Sequence, residues 1–250
     1  MKKKALDLAK ALYDEAVTHK TAAIILAAGN STRMGKGRNK QAECLNGMPV
    51  LAHTLLAYQR CPLIASIVVV TRPQDFDFVL QIAKECGIKK LRHIVAGGKT
   101  RQESASKGLA KLDASVRYVA IADGARCLIT PLQITRVCLK AYRKKAASAA
   151  HLISDTVKRA NALGVVKETV DRTGLWQVQT PQVFHTSLYQ AAVYRAEADG
   201  FEVTDDNSLI EHLGYRVHLV ECGASNIKIT TPEDLALAEA ILRHREEKKI

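Results

Sequence analysis

The sequence predicts an α/β protein built on a mainly parallel sheet covered on both faces. Three observations predict it. β-branched runs of strand length alternate with helical stretches four times in the first 145 residues. The connections between them are too short for anything but crossovers. The residues best suited to ligand chemistry, Gly29, Gly98 and Asp123, each fall just past a predicted strand, the rim where parallel sheets bind ligands.

Each element has its own signal. Residues 1–20 read as an amphipathic helical extension with Leu8, Leu12 and Ala16 along one side, outside a domain of residues 21–250. The first strand is Ala22 to Ala28, and Pro49 can open a helix running to about Arg60. Ser66 to Thr71 forms the second strand, followed by a helix turning Phe78, Ile82 and Ala83 inward. Leu91 to Ala96 is the third strand, and a helix carrying Ser104 and Leu109 begins near Arg101. Val116 to Ala122 is the fourth strand, before Thr130 and Pro131 cap a helix reaching about Lys144. After His151 the pattern breaks. Residues from about 154 to 177 read as a projecting β-arm, with β-prone pieces at Gly164 to Val166 and Glu168 to Val170. Its apolar residues, Val165, Val166, Val170 and Trp176, have no nearby core and imply a partner surface. A helix from about Thr186, a strand from Arg216 to Val220 and a helix from Pro232 complete the chain.

A length of 250 residues suits one such domain, and the net charge of +12 implies an anionic partner, a phosphorylated metabolite or nucleic acid. Aromatics at 5% leave few stacking platforms, which argues against a single-strand binder. The six cysteines form no CxxC pair, which argues for reduced thiols rather than zinc or disulfides. Asp7, Lys10, Asp14 and Glu15 interrupt any signal-peptide core, and no window approaches a membrane span. A cytoplasmic protein without membrane contact is expected.

The chemistry centres on Leu26 to Gln41, where a buried strand opens into a glycine-containing loop bearing Arg33, Lys36, Arg38 and Lys40. Gly29 lets backbone N–H groups approach an anion, and the cations supply countercharge for a triphosphate. The plain alternative is a basic solvated turn. A Walker loop is excluded, because five residues separate Gly29 from Gly35 and Gly37 follows Lys36. The dinucleotide fingerprint fails at Ser31 and Met34.

Six further stretches extend this reading: GGKTRQES from Gly97, DGAR from Asp123, DTVKR from Asp155, TVDRTGLWQVQTPQVF from Thr169, TDDNSLIEHLG from Thr204 and NIKITTPEDLALAE from Asn226, behind the LAAGNSTRMG start itself. In this order they resemble the 2-C-methyl-D-erythritol 4-phosphate cytidylyltransferases of the non-mevalonate isoprenoid pathway, over about residues 21 to 244. The resemblance implies a Rossmann-like nucleotidyltransferase fold and transfer of CMP from CTP to a sugar-alcohol phosphate with release of pyrophosphate. It implies that Arg33, Lys40 and Lys228 act on the phosphates, while Gly98 and Ser104 read the cytosine. The Ala27, Ala28 and Gly29 backbone would lie along the nucleoside and phosphates. Asp123, Arg126 and Thr204 would contact the acceptor, and Thr156 and Arg172 would reach it from the arm of the other subunit of a homodimer. Magnesium is implied, held mainly through CTP oxygens. Ala122 and Cys127 stand where the family commonly carries histidine and proline. Asp205 and Asp206 read as caps of the helix that follows them. The alternatives are a ribitol 5-phosphate cytidylyltransferase, a catalytically weak nucleotide-binding homologue and, from net charge alone, a nucleic-acid binder.

Overall fold

The computed structural model describes residues 11, 14–15, 17–29, 32–34 and 39–248. Leu8, Leu12 and Ala16 of the expected amino-terminal helix lie outside the described residues, as do Lys36 and Arg38 of the phosphate loop. Seven strands form one sheet, in the order β11-β7-β10-β6-β1-β4-β5. They are β1 (Thr21–Leu26), β4 (Ile64–Thr71), β5 (Leu91–Ala96), β6 (Tyr118–Asp123), β7 (Ala146–Leu152), β10 (Trp176–His185) and β11 (His218–Glu221). Two small antiparallel pairs stand apart: β2 (Cys44–Leu45) with β3 (Met48–Pro49), and β8 (Val157–Ala160) with β9 (Val166–Val170).

The period-2 pleat sorts the β1 side chains between two cores. Ala23 and Ile25 join Leu51, Leu55, Ile134 and Val137 on the face covered by α1 (Val50–Arg60), α2 (Phe76–Glu85) and α4 (Pro131–Lys144). Ile24 joins Phe184, Tyr189 and Leu209 on the face covered by α3 (Arg101–Leu109), α5 (Thr186–Asp199) and α6 (Asp206–His212). Helix starts follow the expected chemistry: Thr130 and Gln133 form a reciprocal capping box with Pro131 in the first turn, and Thr231 does the same with Asp234 at α7 (Pro232–Glu247).

The sheet is parallel except at β10, which runs antiparallel to both β6 and β7. The reason lies in the arm. The chain leaves the sheet at the end of β7, reverses through β8 and β9, and returns as β10 between β7 and β6.

A third, smaller core lies beneath the rim. Met34 of the phosphate loop, Leu45, Ala125, Cys127, Ile229 and Ala238 of α7 are buried together. Segments far apart in sequence are packed there, and three of them carry Lys40, Asp123 and Lys228 to the rim.

Candidate active site

Two cavities open at the carboxyl ends of the strands. One, of about 370 Å³, is lined by Ala28, Gly29, Lys40, Gly98, Ser104 and Asp123 among others. The second, of about 580 Å³, is lined by Arg126, Gln179, Thr180, Gln182, Thr204 and Asn207 among others. Among the described residues, Arg101, Asp123 and Lys228 line both. The cavities therefore meet along a wall of two cations and one carboxylate.

Backbone bonds hold that wall in place. Gly124 N–H donates to the Leu26 carbonyl at 2.8 Å, Ile229 N–H to Ala125 at 2.8 Å, and Gly97 N–H to Thr71 at 2.9 Å. The Asp123 N–H donates to Thr180 Oγ1 at 3.0 Å, and the Thr54 hydroxyl donates to the Gly124 carbonyl at 2.7 Å. Gly97 is required by packing, since a Cβ there would sit 2.4 Å from the Ala28 Cβ. At Gly29 a Cβ would meet nothing within 4 Å among the described residues, and Gly29 itself lines the first cavity.

The electrostatics are concentrated on Asp123. Lys228 Nζ lies 2.9 Å and Arg126 Nε 3.6 Å from its Oδ2, while Arg101 Nε lies 3.7 Å from Oδ1. Burial pushes the carboxyl toward its neutral form, but Lys228 and Arg101 outweigh it and hold Asp123 below the usual carboxylate range. Lys40 is lowered instead, first by burial and then by the Lys228 charge, with Asp123 opposing and Arg33 adding to the depression. Such a site is short of negative charge. An anion entering it would relieve the repulsion among Lys40, Lys228 and Arg33.

The expected site residues divide into three groups. Ala28, Gly29, Lys40, Gly98, Ser104 and Asp123 come together around the first cavity with Lys228, and Arg126 and Thr204 around the second. Arg33 is exposed in a short 3₁₀ turn and lines neither cavity, although its charge reaches Lys40. Ala27 lies behind the rim, buried, with its N–H donated to Val70 at 2.7 Å. Ser104 accepts from Gly98 N–H and donates to the Thr100 carbonyl, both at 2.9 Å, so the loop itself engages this hydroxyl. Thr156 and Arg172 sit on the arm and line neither cavity of their own chain, and Arg172 donates to the Ser154 carbonyl.

Sequence reasoning assigned no role to Arg101, although it stands in GGKTRQES, nor to Gln179, Thr180 and Asn226, which brace the wall. Asn226 donates to Gln179 Oε1 at 2.9 Å and to the Thr180 carbonyl at 3.1 Å. Its own carbonyl accepts from Arg126 at 2.8 Å. Asp205 does cap α6, accepting from Ser208 N–H at 3.2 Å. Asp206, expected as a second cap, is instead the first residue of α6, and its buried carboxylate takes Arg101 at 2.5 Å.

Comparisons with known proteins give the same picture from outside. The sequence profile of the 2-C-methyl-D-erythritol 4-phosphate cytidylyltransferase family matches residues 21–244. The protein of that name from Syntrophus aciditrophicus is 44% identical over 228 residues, 91% of this chain and 97% of the relative. Its counterpart from Thermosynechococcus vestitus is 43% identical over 227 residues, 90% of this chain and 97% of the relative. Among solved structures, the 4-diphosphocytidyl-2C-methyl-D-erythritol synthase of Anaerococcus prevotii superposes with a TM-score of 0.77 at 32% identity, covering 90% of this chain and 98% of that one. The Thermus thermophilus cytidylyltransferase gives 0.73 at 31%, covering 88% and 98%. Fold and rim together define a nucleotidyltransferase. The chain belongs to the 2-C-methyl-D-erythritol 4-phosphate cytidylyltransferase family.

Proposed function

We propose that this chain transfers CMP from CTP to 2-C-methyl-D-erythritol 4-phosphate and releases pyrophosphate. One observation carries the reading beyond likeness: a cation-lined cavity and a second polar cavity meet at Arg101, Asp123 and Lys228. An acceptor phosphate oxygen would approach the α-phosphorus across that wall. The new P–O bond forms as the bond to the β-phosphate oxygen breaks, and pyrophosphate leaves with the electron pair. Arg33 and Lys40 would hold the triphosphate, and Lys228 would meet the α-phosphate from the far side, stabilising charge that builds there. The Ala27, Ala28 and Gly29 backbone, with Gly98 and Ser104, would receive the nucleoside. Asp123, Arg126 and Thr204 would contact the acceptor. Thr156 and Arg172 would come from the arm of a second copy, in keeping with their lining neither cavity of their own chain. Magnesium fits this donor set. Among the described residues no three His, Cys, Asp or Glu side chains gather, while Asp123 faces both cavities, which suits an ion that keeps its waters and rests on phosphate oxygens. Bound there, it would supply further charge neutralisation to the triphosphate.

Pyrophosphate release, followed with CTP, magnesium and each acceptor in turn, tests the assignment. Methylerythritol phosphate with CTP should give steady release, and ATP or ribitol 5-phosphate far less. Faster turnover of ribitol 5-phosphate would reassign the acceptor, and no turnover of either would leave a nucleotide-binding homologue. Among the described residues no helix is long and apolar enough to cross a membrane.

A further inference from the structure

Arg101 occupies an unusual place. It is the first residue of α3, where the helix macrodipole disfavours a cation. Its guanidinium is nonetheless largely buried, and its charge is balanced by two carboxylates from opposite sides of the cavity wall. Nε lies 3.7 Å from Asp123 Oδ1, and the Nη1 group donates to Asp206 Oδ2 at 2.5 Å. Asp206 is only 1% exposed and is itself fully held: the Tyr189 hydroxyl donates to its Oδ1 at 2.6 Å. Its N–H donates to Gln182 Oε1 at 2.9 Å, and Gln182 donates in turn to Asp205 Oδ2 at 2.9 Å. Thr204 and Asp205 line the second cavity, so the chain of contacts runs from that cavity's wall through Asp206 and Arg101 to Asp123.

We propose that Arg101 is a positioning residue for CMP transfer, fixing the Asp123 carboxylate between the two cavities by tying it to the buried Asp206 anchor. The two Asp123 oxygens are divided between opposing cations, with Oδ1 toward Arg101 and Oδ2 toward Lys228 and Arg126. Lys228 already holds Oδ2 at 2.9 Å, so without the Arg101 side Oδ1 would also be free to turn toward Lys228 and Arg126 and leave the wall between the cavities. The planar guanidinium spans two carboxylates at fixed angles, which the single ammonium of a lysine cannot do. The buried carboxylate of Asp206 also accounts for the Tyr189 hydroxyl of α5 beside it, since a buried polar group must be hydrogen-bonded, while Gln182 of β10 takes the Asp206 N–H.

This inference rests on the cytidylyltransferase reading, and the test separates the two. The parent enzyme is first assayed with CTP and methylerythritol phosphate; a silent parent overturns the reaction assignment and, with it, the role given to Arg101. In an active parent, Arg101→Lys keeps the charge beside Asp206 and should lower kcat by roughly tenfold or more. It should raise KM for the acceptor severalfold and leave KM for CTP within about twofold. Tyr189→Phe removes only the hydroxyl on Asp206 and preserves the stacked ring against Phe184, so it tests the same chain in a variant built to fold. It should lower kcat/KM for the acceptor by about twofold to fivefold, and the combined variant should lose less than the product of the two effects. Parent-like kcat and acceptor KM in folded Arg101→Lys, or in Tyr189→Phe where Arg101→Lys does not fold, would overturn the proposal. A loss that matches only the unfolded fraction would do the same.

Discussion

The rim of the sheet and the arm carry similar residues, cations beside apolar side chains, and hold them in opposite ways. At the rim Asp123 is buried among partners, Lys228, Arg101 and Arg126, and the segments bearing Asp123, Arg126 and Lys228 share the core of Met34, Leu45, Ala125 and Ile229. On the arm the charges face solvent, as in the 2.7 Å pair of Arg159 with Glu168, the kind of exposed pair worth about 0–1 kcal/mol. Apolar residues at the arm's tip are uncovered too, with Leu163 87% exposed and Val165 and Val166 also exposed, while Val170 and Trp176 are half-buried. A rim built this way is preorganised by its own chain. An arm built this way gets no such packing from its own chain, and a second copy is the occupant proposed above.

The largest expected effect breaks the rim. Lys40→Ala should lower kcat by about 10²–10³-fold, because one preorganised contact to developing charge is removed. The fold should stay intact, as judged by an unchanged melting transition, since Lys40 lines the cavity rather than the core. Near-normal turnover, or early melting, would show that Lys40 has been misplaced in the account.

Much of this contrast is legible in the sequence, and what is not has a common cause. The β-branched runs at β1, β4, β5 and β6 announce themselves locally, and so do the Thr-Pro starts of α4 and α7. Gly29, Gly98 and Asp123 could be placed on one rim because parallel strands present their ends together. The place of β10, by contrast, depends on pairing with β6 and β7, which no local pattern encodes. The Arg101–Asp206 tie spans 105 residues, and neither residue type signals it. In the arm the expected pieces at Gly164 to Val166 and Glu168 to Val170 overlap only β9. The strand β8, sequence VKRA, carries two adjacent cations and no apolar alternation, so its pairing is invisible to periodicity.

The next effect falls on the arm. Leu163→Asp should weaken self-association and CMP transfer together by about tenfold, by placing a charge on an apolar docking surface. Far-UV circular dichroism should not change, because the residue is exposed within its own chain. Sedimentation at several concentrations, run beside the activity assay, would separate loss of association from loss of chemistry. Parent-like association would show that Leu163 docks on nothing.

A pH titration sharpens the rim further. Burial and Lys228 lower the Lys40 pKa in the free protein, and a bound triphosphate would raise it again. CTP binding therefore favours the protonated lysine, and CTP affinity should fall as pH rises through the lowered Lys40 value. Lys40→Met should flatten that slope, as read by isothermal titration. The smallest effect is expected from Thr54→Val, which deletes the 2.7 Å hydrogen bond to the Gly124 carbonyl. It should cost about 1–3 kcal/mol of stability in chemical denaturation, with only a minor change in kcat.

The comparison itself is tested most directly by mixing two inactive proteins. If the rim and the arm of one active site come from different copies, Lys40→Ala and Arg172→Ala should each be nearly inactive alone. A mixed dimer would then hold one site with both lesions and one site with neither. With verified subunit exchange at equal amounts, half the dimers are mixed, and pyrophosphate release should recover to about a quarter of the parent activity per site if the sites act independently. Complete exchange with no recovered activity would mean that Arg172 serves its own chain, and the division between a self-sufficient rim and a borrowed arm would be wrong.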